Sequence, residues 1–159
     1  HIRQGYAQTI LDNFGKPDVI AGVATGGIAQ GALVAQELGV PFIYVRSAAK
    51  GHGMENLIEG AFHEGQRVVV IEDLISTGGS SLKAVEALRA GGLDVKGLIA
   101  TFTYGFSIAE EQFLAAKCPY VCLTDYGILI DVAINTKYVT EADQSTLTAW
   151  RNNPSTWNQ

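Results

Sequence analysis

The chain has 159 residues, is 47% hydrophobic, and carries 11 Lys and Arg against 16 Asp and Glu, a net charge of -5. That length suits one domain with a sizeable core. The excess of acid argues against a nucleic-acid binder working through a broad basic face, because neutralising phosphates takes clustered Lys and Arg. Any anion site must therefore be local.

The chain begins at His1 without Met and enters a helical pattern almost at once, with Ile2, Tyr6, Ile10, Leu11 and Phe14 on one face; this is how a fragment of a longer protein reads. Short apolar runs then alternate with helical patterns. Strands are predicted over Asp18–Ala24, Pro41–Arg46, Arg67–Asp73, Val95–Tyr104 and Tyr120–Leu123, and helices over Ile28–Leu38, Ser81–Ala90 and Ile108–Lys117. Strands apolar on both faces and separated by helices imply an α/β fold with a mostly parallel sheet covered by helices. Ligands of such sheets bind at the carboxyl ends of the strands.

The segment Ser47–Gly65, "SAAKGHGMENLIEGAFHEG", has four glycines and no sustained period. A connection this long in a compact domain is usually a functional lid or a disordered segment. The tail predicts a helix over Glu141–Arg151 with Thr140 as N-cap and Leu147 and Trp150 on its apolar face, and reads as packing. Cys118 and Cys122 lie in extended "CPYVC", about 13 Å apart by strand geometry and so beyond disulfide reach. Two reduced thiols of a cytoplasmic protein is the reading that follows. His1, His52 and His63 are scattered, which excludes a zinc site at ligand spacing, and no apolar run reaches membrane-spanning length.

The chemistry concentrates in "VVVIEDLISTGGSS", Val68–Ser81. A buried strand ends in Glu72 and Asp73, whose side chains point to opposite faces of the sheet. The following "STGGSS" is a glycine-rich turn into a helix, whose unpartnered first-turn amides attract anions, with Ser76, Thr77, Ser80 and Ser81 as hydroxyl donors. Neither the Gly-Lys-Ser/Thr ending of a nucleoside-triphosphate loop nor the G-x-G-x-x-G of a dinucleotide fold is present. Acids just before a phosphate cradle suit a ligand with hydroxyls near its phosphate, such as a ribose 5-phosphate.

This stretch resembles the phosphoribosyl-pyrophosphate signature of the type I phosphoribosyltransferases. Together with "GVATGGIAQGALVAQELGVPFIYVRSAAKGHG", Gly22–Gly53, it is similar to the orotate-using branch of that family, and the likeness covers nearly the whole chain. The resemblance implies a single core domain over residues 1–159, without the N-terminal hood that family members carry over the base. It places Thr25, Gly26 and Gly27 of "ATGG" against the pyrophosphate, and Glu72, Asp73, Ser76, Thr77, Gly78, Gly79, Ser80 and Ser81 around the ribose 5-phosphate. Arg46, Lys50 and His52 match the basic residues of the family's catalytic loop, which closes over a neighbouring subunit's site in a homodimer. In that light Arg46 and Lys50 neutralise the departing pyrophosphate, His52 assists, and Asp73 stabilises charge near the ribose while Glu72 holds sugar hydroxyls.

Where some relatives carry an Arg after the fourth strand for the orotate carboxylate, this chain reads "FTYGF", Phe102–Phe106. Tyr104 and the amides near Gly105 are the substitutes, with Ser76 donating to the ring. Magnesium is the implied cofactor and no protein-only metal site is expected. Two other readings stay open at this point: a phosphoribosyltransferase for another base, and a non-catalytic regulator that binds phosphoribosyl pyrophosphate. A serine hydrolase built on Ser76, His52 and Asp73 lacks the G-x-S-x-G elbow.

Overall fold

The computed structural model describes residues 1–48 and 57–157. In chain order these form α1 (Ile2–Phe14), β1 (Val19–Val23), α2 (Gly26–Leu38), β2 (Phe42–Val45), β3 (Ile58–Glu59), β4 (Arg67–Ile75), α3 (Gly79–Ala90), β5 (Asp94–Thr103), α4 (Ser107–Ala115), β6 (Tyr120–Asp125), α5 (Tyr126–Asn135) and α6 (Gln144–Asn152). The six strands make one sheet in the order β3-β2-β1-β4-β5-β6. All neighbours pair in parallel except β2 and β3, which run antiparallel through Tyr44 opposite Glu59 and Val45 opposite Ile58.

Alternation along the strands divides the core into two layers. On β4, Val68 and Val70 join Ala84, Val85 and Leu88 of α3 and Phe113 of α4. Val69 and Ile71 join Tyr6 and Ile10 of α1 and Val34 and Ala35 of α2 on the other face. Each fully buried Val, Leu or Ile contributes about 1.5–3 kcal/mol, so a register slip of one residue would exchange the two layers and is strongly disfavoured. Arg67 holds the start of β4 to Asp18 through two side-chain hydrogen bonds of 3.0 and 2.8 Å. The bond with Arg67 pulls the Asp18 carboxyl down to about 2.

The structure adds elements that local sequence patterns conceal. α5 follows β6 with no linking residue, and its Ile128, Ile130, Val132 and Ile134 read locally as strand formers. Asp125 starts the helix by accepting a hydrogen bond from the Ile128 amide at 3.0 Å. β3 lies inside the predicted Ser47–Gly65 connection, and β4 runs two residues beyond Asp73. In the tail, Thr140 caps a short 3-10 turn, Glu141–Asp143, through a reciprocal capping box with Asp143, and α6 begins only at Gln144.

Cys118 and Cys122 are both free. Burial pushes both thiols up, Cys122 to about 11. Among the described residues no helix is long and apolar enough to cross a membrane.

Candidate active site

Sheet order reverses between β1 and β4, and the crevice at such a switch point is where an open α/β sheet binds its ligand. Two strand-to-helix turns meet there. β1 leads through Ala24 and Thr25 into α2, and β4 leads through Ser76, Thr77 and Gly78 into α3. Thr25 and Gly78 stand at the N-cap positions, and among the described residues no side-chain capping hydrogen bond is made at either. In α2 the Ile28 amide donates to the Thr25 carbonyl at 3.2 Å; the earlier amides of that turn, and those of the first turn of α3, have no helical carbonyl before them to accept, so the positive ends of two helix dipoles lie side by side and favour an anion.

Glu72 and Asp73 separate along the two layers. Glu72 is 4% exposed and lies on the α3 side. Its Oε2 accepts a hydrogen bond from the Ser81 hydroxyl at 3.0 Å, and its Oε1 accepts one from the Asp73 amide at 3.1 Å. Burial, reinforced by the neighbouring Asp73 side chain, lifts the Glu72 carboxyl from 4.5 to about 7. Asp73 is exposed on the α2 side, its Oδ1 accepting from the Leu74 amide at 2.8 Å. A Cβ placed on Gly26 would overlap the Asp73 carboxyl group, so only glycine permits the α2 turn to approach the acid this closely.

Beneath the crevice a buried polar node joins four elements. The Tyr6 hydroxyl of α1 lies 2.7 Å from the Glu72 carbonyl, 2.8 Å from Oε1 of Gln30 on α2 and 2.7 Å from the Thr101 hydroxyl on β5. Thr101 also donates to Gln30 at 2.9 Å. Burial pushes the Tyr6 hydroxyl above its ordinary range. It works as a neutral tie on the strand that carries the acids. Sequence periodicity assigned Tyr6 only to a helix face, and the polar tip of an otherwise apolar position was the available signal.

The predicted site residues divide by location. Thr25, Gly26 and Gly27 form the α2 turn, with Gly27 buried against the Ile71 carbonyl. Ser76, Thr77, Gly78, Gly79 and Ser80 form the α3 turn, where Gly78 has a φ of +87° and Thr77, Gly79 and Ser80 are exposed. Ser81 turns inward, and its hydroxyl supports Glu72 from behind the cradle. Arg46 stands at the end of β2, where its guanidinium meets Glu59 of β3 at 3.4 Å. Lys50 and His52 lie outside the described residues. Tyr104 sits in an aromatic group, stacked on Phe106 at 5.3 Å and edge-on to Trp150 at 5.6 Å.

Sequence reasoning found no cation near "FTYGF", yet the tail provides one. Arg151 of α6 donates from Nε to the Tyr104 carbonyl and from Nη2 to the Gly105 carbonyl, both at 2.9 Å. Its distance along the chain hid it. A cleft of about 820 Å³ opens between Ser76 and Thr77 on one side and Tyr104, Phe106, Trp150 and Arg151 on the other.

Two helix N-termini, an exposed acid and a neighbouring aromatic cleft thus gather at the carboxyl end of the sheet, an arrangement suited to a ligand with hydroxyls beside a phosphate. A phosphoribosyl transferase domain model matches residues 2–136, and the chain belongs to that family. Its relatives include the orotate phosphoribosyltransferase of Bacteroides thetaiotaomicron, 60% identical over 93% of this chain and 70% of that protein. That of Porphyromonas gingivalis is 53% identical over 98% of this chain and 74% of that protein. Among solved structures, the orotate phosphoribosyltransferase of Aeropyrum pernix superposes with a TM-score of 0.74 at 29% identity, over 82% of this chain and 72% of that one.

Proposed function

We propose that this chain carries the catalytic core of an orotate phosphoribosyltransferase, which moves the ribose 5-phosphate of phosphoribosyl pyrophosphate onto a ring nitrogen of orotate. The observation that carries the reading is the meeting of two uncapped helix N-termini at the β1/β4 switch point, with Asp73 between them. One cradle, Ser76–Ser80 at α3, suits the 5-phosphate, and the other, Thr25–Gly27 at α2, suits the pyrophosphate. Asp73 is the acid open to the ribose, and Glu72 with Ser81 fixes the end of the strand behind it.

In the reaction the bond from the anomeric carbon to pyrophosphate breaks as the bond to the ring nitrogen forms, and positive charge develops on the sugar. Asp73 stabilises that charge from the α2 side, and the amides of Gly26 and Gly27 hold the leaving group as it gains negative charge. Arg46, Lys50 and His52 add positive charge and exclude water when their loop closes over the site of a second subunit in a homodimer. Among the described residues no three His, Cys, Asp or Glu side chains converge to cage a metal. Magnesium, which completes its shell with substrate oxygens and one or two carboxylates, fits this donor set, with Asp73 as its protein contact. When bound it neutralises pyrophosphate charge.

Incubation with phosphoribosyl pyrophosphate, magnesium and orotate should consume orotate, read as loss of its absorbance, while adenine in a parallel reaction is untouched. Lys50→Ala should lower turnover by orders of magnitude and leave phosphoribosyl-pyrophosphate binding intact. Consumption of adenine in place of orotate would refute the assignment of the base.

A further inference from the structure

Arg151 is held by neutral groups. Its Nε and Nη2 bond the carbonyls of Tyr104 and Gly105, which fix the guanidinium without cancelling its charge. It takes part in none of the ion pairs among the described residues, and its Nη1 has no hydrogen-bond partner among them. The loop is shaped around it: Gly105 has a φ of +67°, and a Cβ there would lie 2.7 Å from Nη2. A half-buried cation fixed in this way is an anion-recognition group already in position.

Its two flanks differ. On one side Arg151 borders a cleft that also holds Glu110, Asp125 and Asp131, which repels anions. On the other it borders the cleft that opens at Ser76 and Thr77, where the stacked rings of Tyr104 and Phe106 and the edge of Trp150 offer a flat apolar wall, and Arg151 is the only cation there among the described residues. An anion reaching Arg151 therefore comes from the Ser76 side, and the wall selects a planar one. A ring placed there lies next to the sugar-phosphate cradle.

We propose that Arg151 is the specificity-determining cation of the base subsite, pairing with the carboxylate of orotate, an inference that rests on the orotate reading above. Because the residue comes from the tail helix, the tail is part of the site.

Calorimetric binding of orotidine 5'-monophosphate and uridine 5'-monophosphate tests this, since the two differ only by the carboxylate and share the 5'-phosphate contact. The unaltered chain should bind the first more tightly, and Arg151→Gln should weaken it by about 30-fold or more while changing the affinity of the second by less than about twofold. Arg151→Lys, which keeps the charge without the fork, should retain part of the preference. Loss of affinity for both nucleotides to the same degree would assign Arg151 a structural role and overturn the proposal, as would an undiminished preference in Arg151→Gln. Turnover of orotate by the unaltered chain, measured alongside, separates this outcome from failure of the functional reading: an active chain whose preference survives Arg151→Gln refutes Arg151 alone.

Discussion

Glu72→Gln tests the construction of the site through its protons. Glu72 titrates near 4.5 in the unfolded chain and near 7 in the folded one, because burial disfavours its charge more than the Ser81 hydroxyl and Asp73 amide favour it. Below about pH 4.5 both states hold the proton, and the protonated group contributes its full share of stability. As pH rises toward 7 the unfolded chain has released that proton and the folded chain has not, so stability falls by about 1.4 kcal/mol per pH unit. Above about pH 7 both are ionised, and the accumulated loss levels off at about 3 kcal/mol. The substituted glutamine has nearly the same shape and no titration, so urea unfolding followed by circular dichroism from pH 4.5 to 8 should show the decline in the parent chain and a much flatter curve in the variant. Asp18, held near 2 by Arg67, acts only below about pH 4 and in the opposite sense, outside the range measured. An equal decline in both proteins would show that Glu72 does not carry the proton and would refute its placement beneath the crevice.

Two further substitutions address the neighbouring parts. Gly26→Ala forces a methyl group onto the Asp73 carboxyl; phosphoribosyl-pyrophosphate affinity measured by calorimetry should fall by at least about tenfold, roughly 1.4 kcal/mol, and unchanged affinity would detach the α2 turn from the ligand. Tyr6→Phe removes the hydroxyl shared by Glu72, Gln30 and Thr101; it should destabilise the fold by about 1–3 kcal/mol in urea unfolding, and a variant as stable as the parent would show that the node contributes nothing.

The sheet was legible because its strands are continuously apolar and separated by helices, and that pattern has few folded solutions. The two strand-to-helix turns were legible for a related reason: glycines and hydroxyls directly after a buried strand carry local information. α5 was not, because Ile128, Ile130, Val132 and Ile134 alternate like a strand and only tertiary context makes them helical. Arg151 and Tyr6 escaped for another reason. Arg151 reaches carbonyls 46 and 47 residues away, and Tyr6 reaches Glu72 and Thr101 across 66 and 95 residues, separations at which periodicity and motif spacing carry no signal.

The adjacent acids show how a fold converts one residue of sequence difference into two kinds of chemistry. Alternation sends Glu72 toward α3 and Asp73 toward α2. On the α3 face the next neighbour is Ser81 in a closed helix turn, so Glu72 is dry, bonded at both oxygens and raised to about 7. On the α2 face the neighbour is Gly26, whose missing side chain leaves Asp73 exposed beside open amides. Which acid stays open to the crevice is thus chosen by what stands opposite it, a serine on one face and a glycine on the other. Exchanging the two environments, rather than the two acids, is what would exchange their roles.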